Sequence, residues 1–127
     1  PPMIPELAID TLAVAPDSQL DTLAGLNPSA CVRFADTLLY ELDAAMAACS
    51  LATLSTPIDE QYRQIHALKN MVCATACQQL LDACVALQGH AGDAAQSATS
   101  AAAFQAIAQA TRHLVATYRR GLVADQA

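Results

Sequence analysis

The hydrophobic positions of this chain follow a helical period from residue 28 towards its C-terminal end. Between residues 28 and 50, apolar side chains recur at steps of three and four, which places them on one side of a helix. A similar stripe predicts a last helix over residues 99–121. Four prolines lie within residues 1–16, so this segment is predicted to be an irregular lead-in with one or two helical turns.

Helix start signals agree with this pattern. Asn27 can cap a helix, and the proline after it suits the first helical position. Thr56 and Pro57 repeat the signal, and two acidic residues follow in the first turn, where the helix dipole favours negative charge. Asp17 can cap a shorter helix that ends near Gly25.

The segment after Pro57 has one apolar stripe and one histidine, His66. At about 100° per residue, His66 lies roughly 110° from the centre of the stripe, which predicts a position at its edge, within reach of solvent. Periodicity alone allows this helix to continue to a C-terminal cap at Gly89. The stripe consists of Ile58, Tyr62, Ile65, Leu68 and Val72.

Composition favours a single all-α domain. The 127 residues include four glycines, no tryptophan and few β-branched residues outside short stretches. The net charge is −6 and the six basic residues are mostly scattered, so no basic stripe is available for nucleic acid. The charge-free stretches 44–58 and 94–111 contain polar residues, which predicts no direct membrane contact. Five cysteines, an odd number within helical patterns, favour a reduced, cytoplasmic setting.

The segment His66-Ala-Leu-Lys-Asn70, followed by Leu80 and then Leu87-Gln88, resembles the signature of histidine phosphotransfer domains. That signature is His-x-Leu-Lys-Gly, a glycine near the following turn, and leucines that end in Leu-Glu or Leu-Gln. The resemblance covers roughly residues 28–120 and is densest over 58–88. It implies a phosphorelay intermediate that accepts a phosphoryl group from a receiver-domain aspartate and passes it to a second receiver aspartate.

The resemblance also implies a role for each matching residue. His66 would be the phosphoacceptor, Lys69 would stabilise the transferring phosphoryl group, and Gln88 would orient the imidazole. The partners would be response-regulator receiver domains, which would supply Mg²⁺, and the domain would have no cofactor, ATP site or kinase activity of its own. The surface that docks the receiver is expected to include Tyr62, Arg63, Ala67, Asn70 and Cys73.

The distance between His66 and Gln88 adds a prediction about topology. In one straight helix, their separation of 22 residues would place them about 33 Å apart. The family has a turn near Ala74–Cys77, which would bring them side by side. We therefore expect an antiparallel four-helix bundle over residues 17–122, between the lead-in and a tail at 123–127. Its four helices are predicted at about 28–50, 57–73, 78–88 and 99–121.

Two departures from the family signature leave an alternative open. Asn70 replaces the small glycine that lets a partner approach the phosphohistidine, and Ala76 stands where the turn glycine would be. A degenerate domain would keep the docking surface and act as a helical adaptor that carries no phosphate. We expect a monomeric cytoplasmic domain at the C-terminal end of a hybrid sensor kinase, which can be membrane-bound.

Three cysteines near His66 raise a further alternative, a thiol-metal site. Cysteines four residues apart on a helix can share an ion, and His66 projects in a similar direction. Buried cysteine is also a common small core residue, and no Cys-x-x-Cys pair occurs. His90 and His113 are predicted to be surface residues without a role in the mechanism. The cysteines concerned are Cys73, Cys77 and Cys84.

Overall fold

The computed structural model describes residues 3–126 and shows an all-helical chain with no strand among them. Pro1, Pro2 and Ala127 lie outside the described residues. Single turns of 3-10 helix occur at Ile9–Thr11 and Ala94–Gln96. The α-helices are α1 (Gln19–Leu26), α2 (Pro28–Ala48), α3 (Ile58–Cys73), α4 (Gln78–Gln88) and α5 (Ser97–Asp125).

The predicted start of α2 is confirmed, whereas the cap of α1 differs. The Asn27 side chain accepts a hydrogen bond from the Ala30 N–H at 3.0 Å, and proline is the first helical residue. The cap of α1 is Ser18, which accepts from the Asp21 N–H at 3.1 Å, and not Asp17. Asp17 has a left-handed backbone (φ +64°), which aspartate tolerates better than most residues, and therefore forms the turn before the cap.

The connection from α2 to α3 also differs from the prediction. Helix α2 ends at Ala48, two residues early, because the Ser50 N–H donates to the Gln64 side chain at 3.0 Å. Helix α3 begins after Pro57, and no side chain caps its first turn. The Thr56 hydroxyl donates instead to the Ser50 carbonyl at 2.9 Å. Thr56 thus closes the loop between the helices and does not cap the second one.

Helix α5 is longer than the predicted range 99–121. It begins at Ser97 and continues through Asp125, so most of the predicted tail is helical. Its last turns contact α2, because the Arg119 guanidinium is paired with Asp36 and the Ser29 hydroxyl donates to the Gln126 side chain at 3.4 Å. A glycine inside a helix costs only about 1 kcal/mol, which these contacts offset at position 121.

The contacts between α2 and α5 repeat every seven residues. Arg119 pairs with Asp36, and Arg112 pairs with Asp43 at 2.7 Å. From one pair to the other, the residue number rises by seven on α5 and falls by seven on α2. The two helices are therefore antiparallel and keep a heptad register. Each exposed ion pair contributes at most about 1 kcal/mol, so the pairs define the register more than the stability.

Two clusters of buried residues form the interior. The smaller one surrounds Leu20 and joins α1 to α2, the end of α3 and α5. The larger one joins helices α2, α3, α4 and α5. Side chains of the lead-in, including Leu7 and Leu12, cover part of it. Its largest fully buried side chains are Leu42, Ile65, Leu68, Leu80, Leu87, Phe104 and Ile107.

The turn between α3 and α4 occupies residues 74–77, which confirms the predicted break in the helical pattern. Ala76 has the left-handed backbone (φ +49°) that a glycine would adopt more easily. The buried Thr75 hydroxyl donates to the Val72 carbonyl at 2.7 Å and accepts from the Cys77 N–H at 3.1 Å. The carbonyls of Ala74 and Thr75 accept from N–H groups of α1 and the lead-in. The turn is therefore held by hydrogen bonds on both sides.

Substituting Ala76→Gly should raise the free energy of unfolding by up to about 1 kcal/mol. Glycine removes a left-handed strain of about 1–2 kcal/mol and adds a smaller entropy cost in the unfolded chain. The matched control is Ala102→Gly in the exposed interior of α5, which should lower stability by about 1 kcal/mol. Urea denaturation measures both changes, and equal destabilisation by the two substitutions would contradict the strained turn.

Candidate functional site

The middle of α3 presents His66 to solvent. Ile65, Leu68 and Val72 are fully buried and fix the opposite side of the helix against the core. His66 is exposed, which agrees with its predicted accessibility. The imidazole is therefore reachable by a partner while the helix that carries it is firmly packed.

Four of the five predicted docking residues share the exposed face of α3 with His66. Tyr62 is 47% exposed, and Arg63, Asn70 and Cys73 are also exposed. The fifth, Ala67, is half-buried and lines a groove between α2 and α3. The structure thus places the predicted docking residues around the histidine.

An ion pair fixes Arg63 on this face. Its guanidinium donates to both carboxylate oxygens of Glu60, through Nε at 2.7 Å and through Nη2 at 2.5 Å. The arginine, together with a hydrogen bond from Gln64, lowers the pKa of Glu60 to about 2. Glu60 therefore stays ionised far into the acid range, and Arg63 is kept on its own helix.

Lys69 is half-buried. The charge of Lys69 acts on the thiol of Cys84 on α4. The pKa of this thiol rises to about 12, chiefly because of burial. Cys73 also raises that pKa, while the positive charge of Lys69 lowers it. Charges act in this way only at short range, so Lys69 and Cys73 lie close to Cys84 across the interface.

The register of α3 against α4 follows from the short turn between them and from the contacts that the two helices make beyond it. One turn before Lys69 on α3 is His66, and one turn after Cys84 on α4 is Gln88. The two helices run in opposite directions on either side of a four-residue turn, so both steps lead away from it. Gln88 therefore lies at the same end of the hairpin as His66, within about one helical turn of its level, and is half-buried.

The side chains at this level are close in register but are not bonded to one another. Among the hydrogen bonds of residues 3–126, none joins the His66 ring to Gln88 or to Lys69. The hairpin brings the predicted site residues to one end of one interface.

Gln64 is a residue that sequence reasoning missed. It is only 8% exposed, and its amide oxygen accepts from the Ser50 N–H while its nitrogen donates to the Ser50 hydroxyl at 2.7 Å. These bonds hold α3 against the end of α2 and so fix its rotation. The spacing did not mark it, because Gln64 lies roughly 100° from the centre of the apolar stripe, at the edge opposite to His66.

The two other histidines lie away from this site. His113 is exposed, as predicted, beside a cavity of about 460 Å³ between α5 and the lead-in. The prediction that His90 is a surface residue was wrong, because it is only 7% exposed. The loop after α4 folds towards α3 at this point, because the Gly92 N–H donates to the side chain of Gln61 on α3 at 3.0 Å.

The three cysteines near His66 differ in solvent exposure, which is unfavourable for a shared metal ion. Cys73 is exposed, whereas Cys77 and Cys84 are buried, and the pKa of about 12 at Cys84 opposes formation of the thiolate that binds metal. Within residues 3–126, no group of three or more His, Cys, Asp or Glu side chains is arranged to hold an ion. No helix in that range has the length and apolar character required to cross a membrane.

Comparison with known proteins gives no relative. No protein-family model, curated protein or solved structure matches this chain.

The environments of the cysteines predict their reactivity. Iodoacetamide at neutral pH should alkylate Cys73 at least about 100-fold faster than Cys84, because only thiolate reacts and Cys84 is both buried and held protonated. Peptide mass spectrometry measures the two rates, and denatured protein serves as the control in which they converge. Equal rates in the folded protein would contradict the described packing of α3 against α4.

Proposed function

We propose that this chain is a phosphorelay intermediate that carries a phosphoryl group on His66 between the receiver domains of a two-component pathway. The observation that supports this best is the α3–α4 hairpin. It leaves His66 exposed, with Lys69 one turn away on the same helix and Gln88 within about one turn of the level of the imidazole on α4. These are the three positions at which the sequence resembles histidine phosphotransfer domains.

The reaction requires one nucleophilic nitrogen. A lone pair of the neutral His66 ring attacks the phosphorus of a receiver's aspartyl phosphate, so a P–N bond forms while the P–O bond to the aspartate breaks. The electron pair of that bond returns to the aspartate as a carboxylate. Transfer to a second receiver reverses these steps with a new aspartate as the nucleophile. The receiver supplies both the carboxylate and Mg²⁺.

The neighbours of His66 have separate roles in this proposal. The Lys69 ammonium stands beside the transferring phosphoryl group, and its positive charge stabilises the negative charge on the equatorial oxygens. Gln88 accepts from one ring N–H of His66 after a rotamer change, which fixes the tautomer and leaves the lone pair of the other nitrogen towards solvent. Neither role requires a nucleotide, and the proposal assigns the domain no kinase activity of its own.

We also propose a family-like architecture and context. Helices α2, α3, α4 and α5 form an antiparallel four-helix bundle. Helix α1 and the lead-in cover the end of this bundle at which α3 turns into α4. The bundle acts as a monomeric cytoplasmic domain, tethered to a hybrid sensor kinase, with receivers as partners and no nucleic acid bound. The heptad register of α2 with α5 and the α3–α4 hairpin support this arrangement.

One observation favours the adaptor alternative. Asn70, on the exposed face beside His66, occupies the position where the family has glycine. Its side chain narrows the approach of a receiver loop to the imidazole. A protein in which that approach is blocked would bind a receiver without accepting phosphate, so measuring transfer distinguishes the two functions.

Incubation with a receiver phosphorylated with labelled phosphate should transfer label to the wild-type chain. The label should be lost in acid and retained in base, as a phosphohistidine requires. His66→Gln should remove it, whereas His113→Gln, a matched change at another exposed histidine, should leave it unchanged. Undiminished label on His66→Gln, or none on the wild type, would exclude His66 as the carrier.

Substituting Lys69→Met should lower the rate of phosphoryl transfer by roughly 10²-fold and leave the affinity for the receiver nearly unchanged. The reason is that the ammonium acts on charge that develops during transfer, and removing one such group typically has an effect of this size. Lys69→Arg keeps the charge and should retain most of the rate. Rapid-quench kinetics and titration measure the two quantities; weaker binding with an unchanged rate would assign Lys69 to docking alone.

A further inference from the structure

A continuous groove runs along the face between α2 and α3, beside His66. It consists of two depressions of about 280 and 350 Å³ that share Glu41, Ala67 and Met71 as lining residues. Ala67 follows His66 in the sequence, and Asn70 lines the second depression. A molecule bound in the groove therefore lies next to the imidazole.

The first depression has small apolar walls. Ala44, Ala48 and Ala67 line it, and the buried ring of Phe104 contributes to its lining. Tyr40, which is 76% exposed, stands at its edge. The alanines leave room for a larger apolar side chain that comes from outside the domain.

The charges along the groove are unequal. Only Glu41 and Arg63 carry charge among its described lining residues, and Arg63 is already paired with Glu60. Glu41 is exposed and takes part in none of the ion pairs formed by residues 3–126. Its neighbours three and four residues away on α2 are Thr37, Leu38, Ala44 and Ala45, all of them uncharged.

We propose that Glu41 selects the partner that docks beside His66. The partner is a receiver whose docking element inserts an apolar side chain into the groove and pairs a lysine or arginine with the Glu41 carboxylate. The proposal rests on the proposed function in taking the partner to be a receiver. Charge complementarity carries it, because Glu41 is the one charge of the groove that no described neighbour balances.

The overall charge of the chain acts in the same direction. With a net charge of −6, it attracts a basic surface before contact is made. Such attraction falls with ionic strength, because salt screens exposed charges beyond about 8–10 Å. A specific pair at Glu41 and a general attraction can therefore be separated by substitutions that change the net charge equally at two different places.

The experiment measures binding of a panel of isolated receiver domains from the same genome by titration calorimetry, at low and high ionic strength. At least one receiver should bind, and salt should weaken its binding. Glu41→Lys should lower that affinity about tenfold at low ionic strength, whereas Glu6→Lys, on the lead-in outside the groove, should change it less than about twofold. Exchange of the receiver's pairing lysine or arginine for glutamate should restore binding to Glu41→Lys.

Several results would overturn the proposal: no receiver binds, affinity does not depend on salt, or the two substitutions have equal effects. Self-association of the chain that Glu41→Lys abolishes would assign the groove to a second copy and also overturn it. Labelling with phosphoramidate tests the proposed function separately, because this small donor transfers its phosphoryl group to a histidine with release of ammonia and needs no docking. Unlabelled His66 together with binding that depends on Glu41 would reject phosphoryl transfer and support selection by Glu41.

Discussion

The site described above depends on the end of α3 at Cys73. The hydrophobic pattern would permit one helix from residue 58 to residue 88, and in such a helix His66 and Gln88 would be separated by about 33 Å. The chain turns instead, although it has alanine at the left-handed position 76. The buried Thr75 hydroxyl and the N–H groups that reach the turn from α1 and the lead-in supply the hydrogen bonds that make this turn favourable. The α1 segment is thus coupled to the hairpin that carries the histidine.

The surroundings of the hairpin determine how His66 is presented. Gln64 ties α3 to the end of α2, and the buried side chains of α3 hold its opposite side in the core. Lys69 lies near Cys84 on α4, where its charge lowers the pKa of that thiol. The proposed phosphoryl transfer rests on a packed helix with one exposed imidazole, a cation one turn away on that helix and an amide on the neighbouring helix. The groove beside it carries the Glu41 carboxylate, which we propose selects the partner.

Much of the fold could be predicted from the sequence, because helical periodicity and the Asn27 cap are local signals. The bounds of α4 and the end of α3 were placed correctly, but by the family resemblance and not by periodicity, which cannot detect a turn made without glycine. The errors occurred where tertiary bonds compete with local signals. Ser50 leaves α2 to bond Gln64, and Thr56 bonds the Ser50 carbonyl and does not cap α3. Burial of His90 depends on how a loop packs, which no local pattern reports.

The site was predicted in part. The exposure of His66 followed from its angle on the helix, whereas the burial of Gln64 and the unbalanced charge of Glu41 depend on which helices meet. The central claim, that His66 carries phosphate, is tested most directly by phosphorus–nitrogen correlation NMR on isotope-labelled protein treated with phosphoramidate. The account predicts one phosphorus signal coupled to a ring nitrogen of His66. A protein without such a signal, or with the phosphoryl group only on His113, would contradict it.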